Sequence, residues 1–225
     1  AVSISDNTTL TGIDGLANLI NVVGDLALSR NSALSNLDGL ANITSVGGVL
    51  MLTHNNALTN IDGLANLTSV GGFFNLEQNN ALINIDGLES LSSVGGWMYL
   101  DRNSALTNID GLASLTSVGE YVWIIGNSAL KTISGLANLT SVGGSVGISD
   151  NNVLGNIDGL ASLTSIENYL LIRSNAALTN IDGLANLTSI GGDLEIVSNN
   201  SLANCQALAV VLGWPSGPPE DDVVG

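Results

Sequence analysis

Leu50-Met51-Leu52-Thr53-His54-Asn55-Asn56-Ala57-Leu58-Thr59-Asn60-Ile61-Asp62-Gly63-Leu64-Ala65-Asn66-Leu67-Thr68-Ser69-Val70-Gly71-Gly72 is one unit of a chain that repeats itself. Its Asp-Gly-Leu triplet returns at Asp14, Asp38, Asp86, Asp110, Asp158 and Asp182, and Ser134-Gly135-Leu136 fills the remaining place. The period is 24 residues, without an insertion. On the same spacing an asparagine stands at Asn7, Asn31, Asn55, Asn79, Asn103, Asn127, Asn151, Asn175 and Asn199. Before each asparagine comes an alternating apolar pair, such as Leu26 and Leu28 or Val122 and Ile124, the two-residue period of a half-buried strand. After it the apolar residues come every third position, as in Leu34, Leu37, Leu40, Ile43 and Val46. That segment winds around the same core as the strand.

A unit of this length cannot bury its apolar face alone, but stacked copies share one continuous core. Spacing and periodicity therefore predict stacked parallel strands. Eight steps of about 4.8 Å make a rod roughly 40 Å long. The asparagine column reads as scaffold, its amides satisfying backbone groups inside the coil. The glycine pairs, such as Gly47-Gly48, Gly71-Gly72 and Gly95-Gly96, read as tight turns into each strand, with positive φ where needed.

The phrase Leu50-Met51-Leu52-Thr53-His54-Asn55-Asn56-Ala57-Leu58 resembles the leucine-rich repeat, and its continuation from Leu58 to Gly72 is similar to the receptor L-domain type of related surface proteins. The resemblance covers about residues 1–214 and implies a β-rich, right-handed parallel solenoid with a short C-terminal capping helix. Residues 1–204 form the repeat, about nine coils, and residues 205–214 the cap. Within the cap Cys205 takes the register of Ile181, Ala207 to Leu212 reads as a short helix and Trp214 packs on it. Pro215, Pro218 and Pro219 with Glu220, Asp221 and Asp222 read as a linker to a missing C-terminal region. The resemblance also implies a cysteine partner for Cys205 beyond residue 225, since capping segments of related surface proteins pair their cysteines.

The composition excludes several functions. Four basic against twenty acidic residues give a net charge of -16, which repels nucleic acid and anionic membranes. No run approaches the roughly 18 apolar residues of a spanning helix, so direct membrane insertion is not expected. Ala1-Val2-Ser3-Ile4 has no signal-peptide character, which reads as a leader already removed. One cysteine and one histidine provide no zinc site, and no cofactor motif is present.

The copies differ on the strand, and there the function should lie. Residues between the core positions point outward. Their first column runs Asp25, Val49, Phe73, Trp97, Tyr121, Ser145, Tyr169 and Asp193, and their second Ala27, Met51, Asn75, Tyr99, Trp123, Gly147, Leu171 and Glu195. The next two hold Glu77, Asp101 and Arg173, then Arg30, His54, Gln78 and Arg102. Six of the eight aromatic residues, all three arginines and the only histidine project from this face. Aromatic side chains and arginine are what interfaces enrich. Phe73, Trp97, Tyr99, Tyr121 and Trp123 are expected to form one contiguous patch, rimmed by Glu77, Asp101 and Arg102, with Met51, His54, Tyr169 and Arg173 completing the ligand-binding set. A constant frame with a diversified strand face also resembles the variable leucine-rich-repeat receptors.

These features predict an extracellular or cell-surface recognition module whose ligand is a protein. A glycan is the rival ligand, because rings beside acids also suit sugar stacking. An enzyme is not expected: His54 has no nucleophile partner, and Glu77 with Asp101 look like rim charges rather than an acid/base pair. The Asp14 to Asp182 column could attract calcium, but backbone amides of the Asp-Gly turns are expected to compensate its charge. A structural or ice-binding array would use the hydroxyl column Thr44, Thr68, Ser92, Thr116, Thr140, Thr164 and Thr188. Glycosylation sequons at Asn42, Asn66, Asn138 and Asn186 share one column, and on coils about 5 Å apart they are too close for two glycans. They read as turn sequence, which favours a bacterial setting.

Overall fold

The computed structural model describes residues 1–209. The alternating pairs form nine four-residue strands, from Val2–Ser5 through Leu50–Thr53, Phe74–Glu77, Met98–Asp101, Val122–Ile125 and Val146–Ser149 to Leu194–Val197. They build one parallel sheet in strict chain order, each strand paired with the one 24 residues on. Register never slips, because a one-residue shift would turn every core leucine to solvent. On the far side, two-residue strands such as Ser45–Val46 and Ser69–Val70 make a second parallel ladder, and between the two sheets each coil carries a 3-10 turn such as Asp62–Leu64. The chain is a parallel solenoid.

The core is what the three-residue spacing predicted. Leu50, Leu52, Leu58, Ile61, Leu64, Leu67 and Val70 of one coil are all essentially inaccessible, and so are their equivalents in the coils on either side. Phe74 fills a core position.

The asparagines form a continuous inner ladder. The backbone N–H of Asn79 donates to Oδ1 of Asn103 at 3.0 Å, and that of Asn103 to Oδ1 of Asn127 at 3.0 Å. Each Nδ2 donates backward to a strand carbonyl, that of Asn103 to Leu76 at 2.9 Å. One buried amide therefore satisfies both a donor and an acceptor of the preceding coil, as the scaffold reading expected.

Three details differ from the sequence reading. The glycines at the strand approach do not adopt positive φ. A Cβ on Gly71 would overlap the carbonyl oxygen of Gly47, so glycine is required by the closeness of the coils. The left-handed conformation belongs instead to the residue before each asparagine: Asp6, Arg30, His54, Gln78, Arg102, Asp150, Ser174 and Ser198 have φ between 50° and 62°, and only Gly126 is a glycine there. Finally, the aspartate of the Asp-Gly turn does not build it. The N–H of Asp62 is held by Oδ1 of Asn60 at 3.2 Å, an Asx turn made two residues earlier, and the aspartates stand exposed.

At the C-terminal end Cys205 is buried in the isoleucine register, and Gln206–Leu208 repeats the 3-10 turn of the coils where the capping helix was expected to begin. The remainder of that reading, with Trp214 and the linker, lies outside the described residues. Among the described residues no helix is long and apolar enough to cross a membrane.

Candidate functional site

The nine-stranded sheet fixes where each distinctive side chain emerges. Met51, Asn75, Tyr99, Trp123, Gly147 and Leu171 are direct cross-strand neighbours, and so are Thr53, Glu77, Asp101, Ile125, Ser149 and Arg173. The outward columns thus lie on one wall. Trp97 and Tyr121 are exposed, while Phe73, Tyr99, Trp123 and Tyr169 are half-buried.

The ring-to-ring contacts fall into two groups along the wall, with Tyr99 and Trp123 as cross-strand neighbours between them. Phe73 and Trp97 pack with centroids 4.6 Å apart, and Trp97 meets Tyr99 edge-on at 6.4 Å. Trp123 lies over the backbone of Gly147, where an added Cβ would overlap the indole, and reaches Tyr169 at 5.8 Å. The cause is strand Val146–Ser149. Its outward positions hold only Ser145, Gly147 and Ser149, and the trough they leave admits the large rings from both sides. Tyr121 similarly leans over Gly144. Burial raises the phenol of Tyr169 above its ordinary range, and the neighbouring Tyr121 adds to the shift.

Beside the first ring group sits a polar notch. Asp101, expected at the rim, is 1% exposed. Its Oδ2 accepts from Nη1 of Arg102 at 2.9 Å, while its Oδ1 is buried without a partner. Glu77 stands opposite on the next strand and accepts from Nε2 of Gln78 at 3.1 Å and Nδ2 of Asn75 at 3.4 Å. Among the described residues three buried side-chain polar atoms lack partners, namely Asp101 Oδ1, Asn75 Oδ1 and His54 Nδ1, and all belong to three consecutive coils of this face. Asn75 and Gln78 were not among the predicted site residues. The signal available was the lone amide of Asn75 in an outward column otherwise dominated by apolar and aromatic residues. Arg173 lies exposed two strands beyond Trp123, on the far side of the trough, and Met51 is half-buried beside Asn75.

Burial raises the Asp101 carboxyl above the ordinary aspartate value of 3.8; Arg102 pulls it partly back and Glu77 adds to the rise. The same two carboxylates, after burial, raise the phenol of Tyr99. A carboxyl that holds its proton more tightly when folded stabilises the fold fully below the unfolded value, and that contribution is lost as pH rises through the folded value. Asp101→Asn is therefore expected to stabilise the chain by about 1–2 kcal/mol at neutral pH, where it removes a buried charge with an unpaired oxygen. The advantage should shrink as pH falls towards about 4. Urea denaturation of both chains across that range reads it, and a gap that stays constant or widens in acid would refute the assignment.

The other columns are occupied by the scaffold. Thr68 Oγ1 donates to the carbonyl of Thr44 at 2.9 Å, Ser92 Oγ to that of Thr68 at 3.0 Å and Thr116 Oγ1 to that of Ser92 at 3.1 Å. The Nδ2 groups of Asn42, Asn66, Asn138 and Asn186 each donate at 2.8 Å to an alanine carbonyl of the preceding coil. No cluster of three or more metal-ligating side chains occurs among the described residues.

A scan against protein-family models returns no match, and a search of curated proteins returns none either.

Proposed function

We propose that the chain is a recognition module, similar in repeat type to receptor L-domain leucine-rich repeats, that binds a protein ligand through the face carrying Phe73, Trp97, Tyr99 and Trp123. One observation carries the reading. The hydroxyl, asparagine and glycine columns serve contacts between coils, whereas the strand face carries large rings at the surface together with acceptors left without partners. Those features cost stability, and a ligand that covers the rings and meets the acceptors would supply the compensation. Repetition of the frame offers binding a rigid wall and offers catalysis no nucleophile beside His54, so the proposed role is binding rather than turnover. An extracellular or cell-surface setting, bacterial by the sequon argument, belongs to the same proposal.

The test is a screen of the immobilised chain against displayed extracellular proteins and a glycan array in parallel. A saturable protein ligand is expected, with affinity falling about 30-fold in Trp97→Ala, the loss of one aromatic hot spot. Binding that ignores Trp97→Ala and Trp123→Ala alike would remove the face from consideration. A glycan bound in place of a protein, and lost in the same variants, would support the carbohydrate-binding adhesin instead.

A further inference from the structure

The notch beside Tyr99 combines features that a rim charge would not have. Glu77 and Asp101 face each other on adjacent strands, about 5 Å apart along the sheet. Asn75 projects from the same side of the Glu77 strand, and His54 follows the end of the preceding one, Leu50–Thr53. Asp101 is almost wholly buried and keeps one oxygen unpaired, and Asn75 and His54 each keep a buried atom unpaired as well. The local carboxylates outnumber the single guanidinium, Arg102. Acceptors predominate, charge is net negative, and aromatic rings stand alongside: that is the environment a cation with several N–H donors satisfies.

Arg102 shows how such a cation would be held. Its guanidinium pairs with Asp101 through one contact while its side chain remains 65% exposed. Only Nη1 is engaged, and Asp101 Oδ1 stays free. The contact is single-point and its guanidinium end is solvated while Asp101 is buried, so a cation that engages both carboxylate oxygens can displace it. Gly126 packs against the pair: a Cβ placed there would crowd Arg102 Cγ and lie near Asp101 Oδ1, so the space over Asp101 is held by the Arg102 side chain and opens only when that side chain swings away.

We propose that the Glu77–Asp101 notch is a subsite for a basic side chain of the ligand, a lysine ammonium or arginine guanidinium, which takes the place of the Arg102 guanidinium on Asp101. The proposal rests on the strand face being the ligand surface. Glu77 and Asp101 supply the charge, Asp101 Oδ1 and Asn75 Oδ1 are the acceptors without partners, and Tyr99 lines one side.

Titration of the isotope-labelled chain with N-acetyl-lysine amide and N-acetyl-arginine amide tests it directly, with N-acetyl-norleucine amide and methyl hexosides as the other arms. The cationic probes are expected to shift the amide signals of His54, Asn75, Glu77 and Asp101 saturably, and the uncharged probes to leave them in place. Asp101→Asn and Glu77→Gln should each weaken the cationic probe about tenfold, while Arg102→Ala, by removing the internal competitor, should tighten it about threefold. Shifts produced by hexosides and not by the cations would overturn the proposal, as would an Asp101→Asn chain that binds as well as the parent or an Arg102→Ala chain that binds no tighter. Urea denaturation of each variant shows that it is folded. With a protein ligand in hand the two readings separate. Loss in Trp97→Ala with no change in Asp101→Asn or Glu77→Gln rejects the cation subsite alone, and indifference to Trp97→Ala rejects the face itself.

Discussion

Asn103→Ala is expected to lower the unfolding free energy by about 4 kcal/mol. The substitution strips the partner from the backbone N–H of Asn79 and removes the amide that also bonds the carbonyl of Leu76, both deep in the coil. The orphaned N–H costs about 1–3 kcal/mol, and the lost amide bond to Leu76 and the cavity left by a fully buried side chain add to it. The comparison is Asn80→Ala, one residue beyond the ladder on the exposed surface, where a change within about 0.5 kcal/mol is expected. Urea unfolding followed by circular dichroism measures both, and equal losses would mean that the inner ladder contributes nothing special. Hydrogen exchange provides a local reading, because the Asn79 amide should lose protection before amides three coils away. Each coil contacts only its neighbours, so the damage stays near its source.

Gly111→Ala should be more damaging still, at about 5 kcal/mol or loss of folding altogether. A Cβ there would occupy the position of the Ile85 carbonyl oxygen and crowd the backbone of Asp86 on the preceding coil. Both obstacles are main chain, so no side chain can swing aside and the spacing between coils must open. Overpacking normally costs about 1–3 kcal/mol; this case exceeds it because the frame itself is displaced. The matched control is Gly155→Ala, whose added methyl meets nothing within 4 Å and which should be neutral or slightly stabilising. Thermal unfolding distinguishes the two directly. Comparable midpoints would show that the coils are not packed backbone to backbone.

The frame was legible in the sequence because every coil imposes the same demand at the same place. An asparagine that must satisfy two backbone groups and a leucine recur in every coil, and a glycine that must let a carbonyl approach recurs in most of them, with Glu167 an exception, so repetition made up for weak local signals. The wall was legible in direction but not in detail. Register correctly put Trp123 on the sheet face, yet its ring position depends on the gap above Gly147 one coil further on, a relation between columns rather than within one. Asp101 was misread for a similar reason. An acid in an outward column is normally solvated, and only the arrangement of Arg102, Gly126 and Glu77 around it encloses it. If Asp101→Asn both stabilises the chain and loses the cation, the buried charge is retained against stability, as happens where binding needs a strained site.

The corner before each asparagine carries a broader consequence. Arg30, His54, Gln78 and Arg102 are all held in the left-handed region, a conformation that costs an ordinary side chain about 1–2 kcal/mol. Glycine would relieve that cost, and the chain uses it there once, at Gly126. These bends lie immediately beside the wall, outside both the leucine core and the amide ladder. A chemist redesigning the molecule for heat resistance would begin at those corners, and by the same move would erase the positions from which its long polar side chains reach outward.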